Sequence, residues 1–140
     1  MKTVFLTIVI LLSITAGVFA QTKSNLKAEE FDKEIKKKGI QLLDVRRPAE
    51  YEEGHIKGST LANWEDKADF EKHAEHLDKN KPVYVYCRSG KRSSAAADYL
   101  SEKGFKNVVN LEGGILEWKQ DGKDVEVGQK TQGAAAVPKH

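Results

Sequence analysis

A second cysteine is missing from this chain. Cys87 stands alone among 140 residues, so no internal disulfide can staple the fold. An excess of charge of one sign is missing as well. The 23 basic and 21 acidic side chains leave a formal charge of +2, too little to draw the chain to nucleic acid or to an anionic membrane surface. Any preference for anions has to be local. Length for a second domain is also lacking, because 140 residues with 39% hydrophobic content supply one core. The chain carries no internal repeat.

Long apolar stretches are confined to the N-terminus, where Lys2 precedes a run from Val4 to Ala20. A positive start, an apolar stretch and the close Val18-Phe19-Ala20 read as a secretory signal over residues 1–20, cleaved before Gln21. At about 17 residues the run is at the short end for a bilayer span, so an uncleaved anchor is the alternative, and export follows from both. No cysteine directly follows it to accept a lipid. The expected location is periplasmic or otherwise exported, with no stable membrane association after signal removal.

Beyond the signal, Thr22–Asn25 is a short polar lead. Ala28–Lys38 sets Phe31 and Ile35 four apart among charges, an amphipathic helix closed by Gly39. Ile40–Val45 is an apolar run broken by Arg47-Pro48, as where a strand gives way to a loop. Pro48–Glu53 suits one helical turn, Ser59–Ala62 a weak strand, and Asp66–Leu77 a surface helix with Phe70, Ala74 and Leu77 on one side. Val83–Tyr86 (VYVY) is the clearest strand and Ser93–Lys103 the clearest helix, with Ala96, Tyr99 and Leu100 on one face. Val108–Leu111 makes another strand, Gly113-Gly114 a turn, and Ile115–Gln120 a short helix with Trp118 packed inward. Alternation of strands and helices predicts an α/β domain of three layers over residues 21–120, a mainly parallel sheet flanked by helices. Residues 121–140 lack apolar periodicity and read as a disordered tail.

Ligands of such sheets bind at the carboxyl ends of the strands, and Cys87 sits at one. A lone thiol is by default a small buried hydrophobe, but its neighbours argue otherwise. Cys87-Arg88-Ser89-Gly90-Lys91-Arg92-Ser93 must curl between a buried strand and a helix, and Gly90 permits the curl. Amides converging in that curl, with the positive end of the helix dipole, make an anion cradle around the thiol. Arg88, Lys91 and Arg92 add three positive charges. All of these favour thiolate, so Cys87 is expected to titrate below the ordinary value of about 8.5.

Three blocks resemble the rhodanese family of sulfurtransferases, over about Leu26 to Trp118. LLDVRRPAEYEEGHIKGS, from Leu42 to Ser59, is similar to the family's upstream signature; CRSGKR, from Cys87 to Arg92, to its six-residue active loop; and EGGILEW, from Glu112 to Trp118, to its closing motif. Ser59 stands where the family usually has alanine, and Thr60-Leu61-Ala62-Asn63 departs from its usual apolar and proline ending. The resemblance implies a rhodanese-like fold and double displacement. The Cys87 thiolate would take the outer sulfur of a small anionic donor such as thiosulfate and pass it to cyanide or a thiol acceptor. Arg88, Lys91 and Arg92 would neutralise the donor's oxygens, and the amides of Ser89, Gly90 and the residues on to Ser93 would hold the persulfide. No metal or organic cofactor is implied. Basic loop residues favour thiosulfate over a carboxylate donor such as mercaptopyruvate.

Competing readings are a persulfide carrier that hands sulfur to a protein partner, an idle fold used as a binding module, and a cysteine phosphatase or arsenate reductase. The intact cationic loop argues against the idle module. Phosphatases of this strand-loop-helix design place five residues between cysteine and arginine, whereas Cys87 and Arg92 are separated by four. Asp44 and Arg46, at a strand end near the site, read as loop-fixing ion-pair partners, with Arg46 available to the pocket rim and Glu50 as its natural partner. His55 reads as the pin of a turn, and His73 and His76 as part of a solvated helix face without a third metal ligand in reach.

Overall fold

The computed structural model describes residues 22–128, so the expected signal and residues 129–140 lie outside the described part. Five strands and five helices follow one another: β1 (Thr22–Leu26), α1 (Ala28–Ile35), β2 (Gln41–Asp44), α2 (Pro48–Glu53), β3 (Thr60–Leu61), α3 (Lys67–Glu75), β4 (Val83–Tyr86), α4 (Lys91–Glu102), β5 (Asn107–Leu111) and α5 (Gly114–Gln120). The strands form one sheet in the order β1-β5-β4-β2-β3, and every pairing is parallel. Buried on both sides, β4 is apolar throughout, as central parallel strands are.

Alternation along the strands divides the core in two. Leu43, Val85 and Val108 face Phe70 and Ala74 of α3 and Ala96, Ala97 and Leu100 of α4. Leu42, Tyr84, Tyr86, Val109 and Leu111 face Ala28 and Phe31 of α1 and Ile115 and Trp118 of α5. Helices thus cover both faces of the sheet, the three-layer α/β arrangement the alternation predicts. Phe31 is the hinge of the second layer: it is wholly buried and meets Tyr84 and Trp118 edge-on at 5.5 and 6.4 Å.

Several boundaries differ from the sequence reading. The polar lead is an edge strand, β1, whose residues pair in register with Asn107–Leu111; backbone pairing alone makes it a strand, since four of its five side chains are exposed. Helix α1 stops at Ile35 because the lysines that follow have nothing to bury. The segment read as the start of a disordered tail is docked from Asp121 to Gly128. Lys123 pairs with Glu29 and Asp32, Val125 packs on the second core layer, and Glu126 and His55 exchange two backbone hydrogen bonds of 2.8 Å. No helix among the described residues is long and apolar enough to cross a membrane.

Candidate active site

The carboxyl end of β4 opens into a loop of four residues, Cys87 to Gly90, since α4 begins at Lys91, two residues earlier than its apolar face indicates. Gly90 closes the loop in the left-handed region, φ 101°, where a side chain would be strained. That turn aims the Gly90 amide at the Cys87 sulfur. Sγ accepts from Gly90 N at 3.1 Å and from the Ser93 hydroxyl at 3.3 Å, and the thiol is 1% exposed. Burial pushes the thiol up, but the Ser93 hydroxyl and the Ser93, Gly90 and Ser89 amides outweigh it, and the net direction is down. The carbonyls of Cys87 and Arg88 are engaged by α5, accepting from Ile115 N at 2.9 Å and Leu116 N at 3.1 Å. What the loop offers Sγ is therefore donors, the surface that suits an anionic sulfur.

The three cations of the loop do not share one fate. Arg92, in the first turn of α4, forms a two-pronged pair with Glu50 of α2 at 2.8 and 2.9 Å, with Glu65 behind it at 3.8 Å. Glu65 in turn holds Arg47. Arg88 and Lys91 are exposed and make no ion pair among the described residues. Of the three cations expected to meet an anion, Arg92 alone already holds carboxylates among the described residues, while it still feels the charge of Cys87. Glu50, assigned by spacing to Arg46, was the missed partner, and sequence separation of 42 hid it.

Arg92's hydrogen bond draws the Glu50 carboxyl down to about 2, against a smaller burial effect and with help from the Arg47 amide. A depressed folded value means stability that is whole above the unfolded value of about 4.5 and is lost as pH falls toward 2. Glu50→Gln is expected to flatten the acid limb of the stability curve between about pH 5 and 2, by about 1 kcal/mol after allowance for solvent screening. Urea unfolding at stepped pH checks it; parallel curves for both proteins would refute it.

Residues 27–121 match the family model described as rhodanese-like domain. This chain belongs to the rhodanese-like family. It is 41% identical over 96 residues to the thiosulfate sulfurtransferase GlpE of Coxiella burnetii, covering 69% of this chain and 84% of that protein. It is 35% identical over 103 residues to the tRNA uridine(34) hydroxylase of Pelagibacter ubique, covering 74% of this chain. The match spans about a third of that relative's length, 34%. Among solved structures, a rhodanese-like domain protein of Staphylococcus aureus superposes with a TM-score of 0.64 at 27% identity, covering 76% of this chain and 99% of that one.

In this rhodanese-like domain Asp44 and Arg46 are loop-fixing partners. Arg46 meets both Asp44 oxygens, at 2.7 Å for the shortest contact, and donates to Gly54 O at 2.7 Å. At 4% exposure, Arg46 is not on a pocket rim. His55 stacks on Tyr51 with ring centroids 3.7 Å apart, and its Nδ1 lies 2.9 Å from Tyr51 O, which pins the turn after α2. Ser59, the departure from the family's alanine, is buried and fully used: Oγ donates to Ile56 O at 2.7 Å and lies 3.0 Å from the Tyr86 hydroxyl. His73 and His76 each turn Nδ1 to the carbonyl four residues back, at 2.8 and 2.7 Å. No group of three or more potential metal ligands occurs among the described residues.

Proposed function

We propose that this rhodanese-like domain is an exported thiosulfate sulfurtransferase working through a Cys87 persulfide. The convergence of Gly90 N and Ser93 Oγ on Sγ carries the reading, because donors aimed at one sulfur atom favour its thiolate and suit the anionic sulfur of a persulfide afterwards. The Cys87 thiolate attacks the outer sulfur of thiosulfate, the sulfur–sulfur bond of the donor breaks, and sulfite departs with the bonding pair. An acceptor nucleophile, cyanide or a thiolate, then attacks the terminal sulfur and returns Cys87 as thiolate. No proton has to be abstracted in either half. Arg88 and Lys91, both unpaired among the described residues, meet the donor's oxygens and ease the departure of sulfite. Resemblance to a thiosulfate sulfurtransferase over 84% of its length supports the choice of donor, and the apolar run Val4–Ala20 supports the exported location.

The test is intact mass of the purified protein before and after thiosulfate, followed by cyanide. A gain of about one sulfur atom that cyanide removes, with turnover favouring thiosulfate over mercaptopyruvate by about tenfold or more in kcat/KM, is the expected result. Absence of the gain would overturn the persulfide mechanism. A gain that persists in cyanide would turn the reading to a carrier that discharges to a protein partner, and a preference for mercaptopyruvate would overturn the donor assignment.

A further inference from the structure

Asn110 is the one polar residue in the buried part of β5, 4% exposed, at the end of the strand beside β4. Its Nδ2 donates to Gly90 O at 3.3 Å and to Asn25 Oδ1 of β1 at 3.1 Å. Its Oδ1 is buried without a partner among the described residues. An amide turned the other way would set its oxygen against the Gly90 carbonyl, so the donor has to face the loop. The orphaned oxygen costs stability that an apolar side chain of similar volume would not. Neither partner needs Asn110 for its own sake: Gly90 O already accepts from Ser94 N at 3.0 Å, and Asn25 is exposed to water.

What Asn110 does secure is the place of Gly90. The glycine lies against the end of β5, where a Cβ on it would sit 3.4 Å from Leu111 O and 3.9 Å from Asn110 Nδ2. Held at its carbonyl from the sheet side, Gly90 keeps its amide 3.1 Å from Cys87 Sγ, a close approach for a sulfur acceptor that holds only while the loop backbone stays in place.

We propose that Asn110 is a positioning residue of the active loop, holding Gly90 at its carbonyl so that the Gly90 amide, in the preceding peptide group, stays on the sulfur of Cys87. The inference deepens the sulfurtransferase reading, and rests on it only for its effect on turnover. Asn110→Leu removes the donor and the orphaned acceptor together, so its melting temperature is expected to equal or exceed that of the parent. Its Cys87 is expected to alkylate with a pH midpoint about half a unit or more higher, a rate about threefold lower near pH 6. Asn110→Ala, which tolerates a tighter fit, is expected to show the same midpoint shift.

The experiment is the pH dependence of iodoacetamide alkylation of the full chain and both variants, with thermal unfolding alongside. Alkylation uses no sulfur donor, so a raised midpoint in a protein that fails to transfer sulfur would sink the sulfurtransferase reading and leave this one standing. An unchanged midpoint in both variants, or a shift seen only where stability has also fallen, would overturn the positioning role and leave Asn110 a structural residue.

Discussion

Cys87→Ser is expected to bring sulfur transfer to the uncatalysed background, a loss of more than about a thousandfold, because the hydroxyl cannot form the persulfide that divides the reaction into two displacements. The same substitution should leave the fold intact. A hydroxyl occupies slightly less space than the thiol and accepts from Gly90 N and Ser93 Oγ in its place, so the change in stability near neutral pH is expected within about 1 kcal/mol. The comparison also reads the thiol's titration. Its folded value lies below the ordinary one, so in the window between the two the unfolded chain binds the extra proton. Stability of the parent relative to the serine variant should therefore rise with pH through that window, be complete above the unfolded value, and vanish below the folded one. Thiosulfate-to-cyanide turnover and urea unfolding at stepped pH check both halves. A serine variant with measurable sulfur transfer would refute the nucleophile, and a stability difference that falls with rising pH would refute the donor cradle.

Gly114→Ala carries the second large effect, and it strikes the loop without touching any reacting atom. Gly114 opens α5 at φ 62°, pressed against the backbone that follows β4. A Cβ there would stand 2.3 Å from Arg88 O and 2.7 Å from Cys87 O, far inside van der Waals contact with atoms that cannot swing aside as a side-chain tip does. These carbonyls are the ones that accept from Ile115 N and Leu116 N, so a methyl group drives α5 from the loop and breaks the two hydrogen bonds that hold the backbone beside the sulfur. The expected result is a loss of about 3 kcal/mol in stability and about a hundredfold in turnover. Gly58→Ala is the control, since Gly58 has φ 85° with nothing within 4 Å of its Cβ position. It should lose about 1 kcal/mol from backbone strain alone and keep its activity. Equal effects of the two substitutions would show that close packing of Gly114 on the loop does not matter.

The glycine pair at the start of EGGILEW was legible in the sequence, and so was the position of Cys87 between VYVY and a helix. Both are local signals: an apolar run buried on both sides, a glycine where the backbone must enter the left-handed region, a helical face of Ala96, Tyr99 and Leu100. Local signals also led astray. Apolar spacing put the start of α4 at Ser93, because Lys91 and Arg92, which open the helix, bring no apolar side chain to the core. Spacing likewise paired Glu50 with Arg46, four residues away, when the fold gives Arg46 to Asp44 and Glu50 to Arg92.

By itself, then, the sequence determined the parallel α/β layering, the family, the place of the lone cysteine at a strand end and the cationic character of its loop, since each rests on residues adjacent in the chain or repeated at a helix or strand period. Tertiary structure alone decided that Thr22–Leu26 is a strand, that Asp121–Gly128 is docked, that Arg92 is held by Glu50 while Arg88 and Lys91 stay free of ion pairs among the described residues, and that Asn110 reaches Gly90. Each of these depends on backbone or side-chain groups brought together across 20 residues or more, and a polar residue's own type says nothing about which distant partner will satisfy it once water has been excluded.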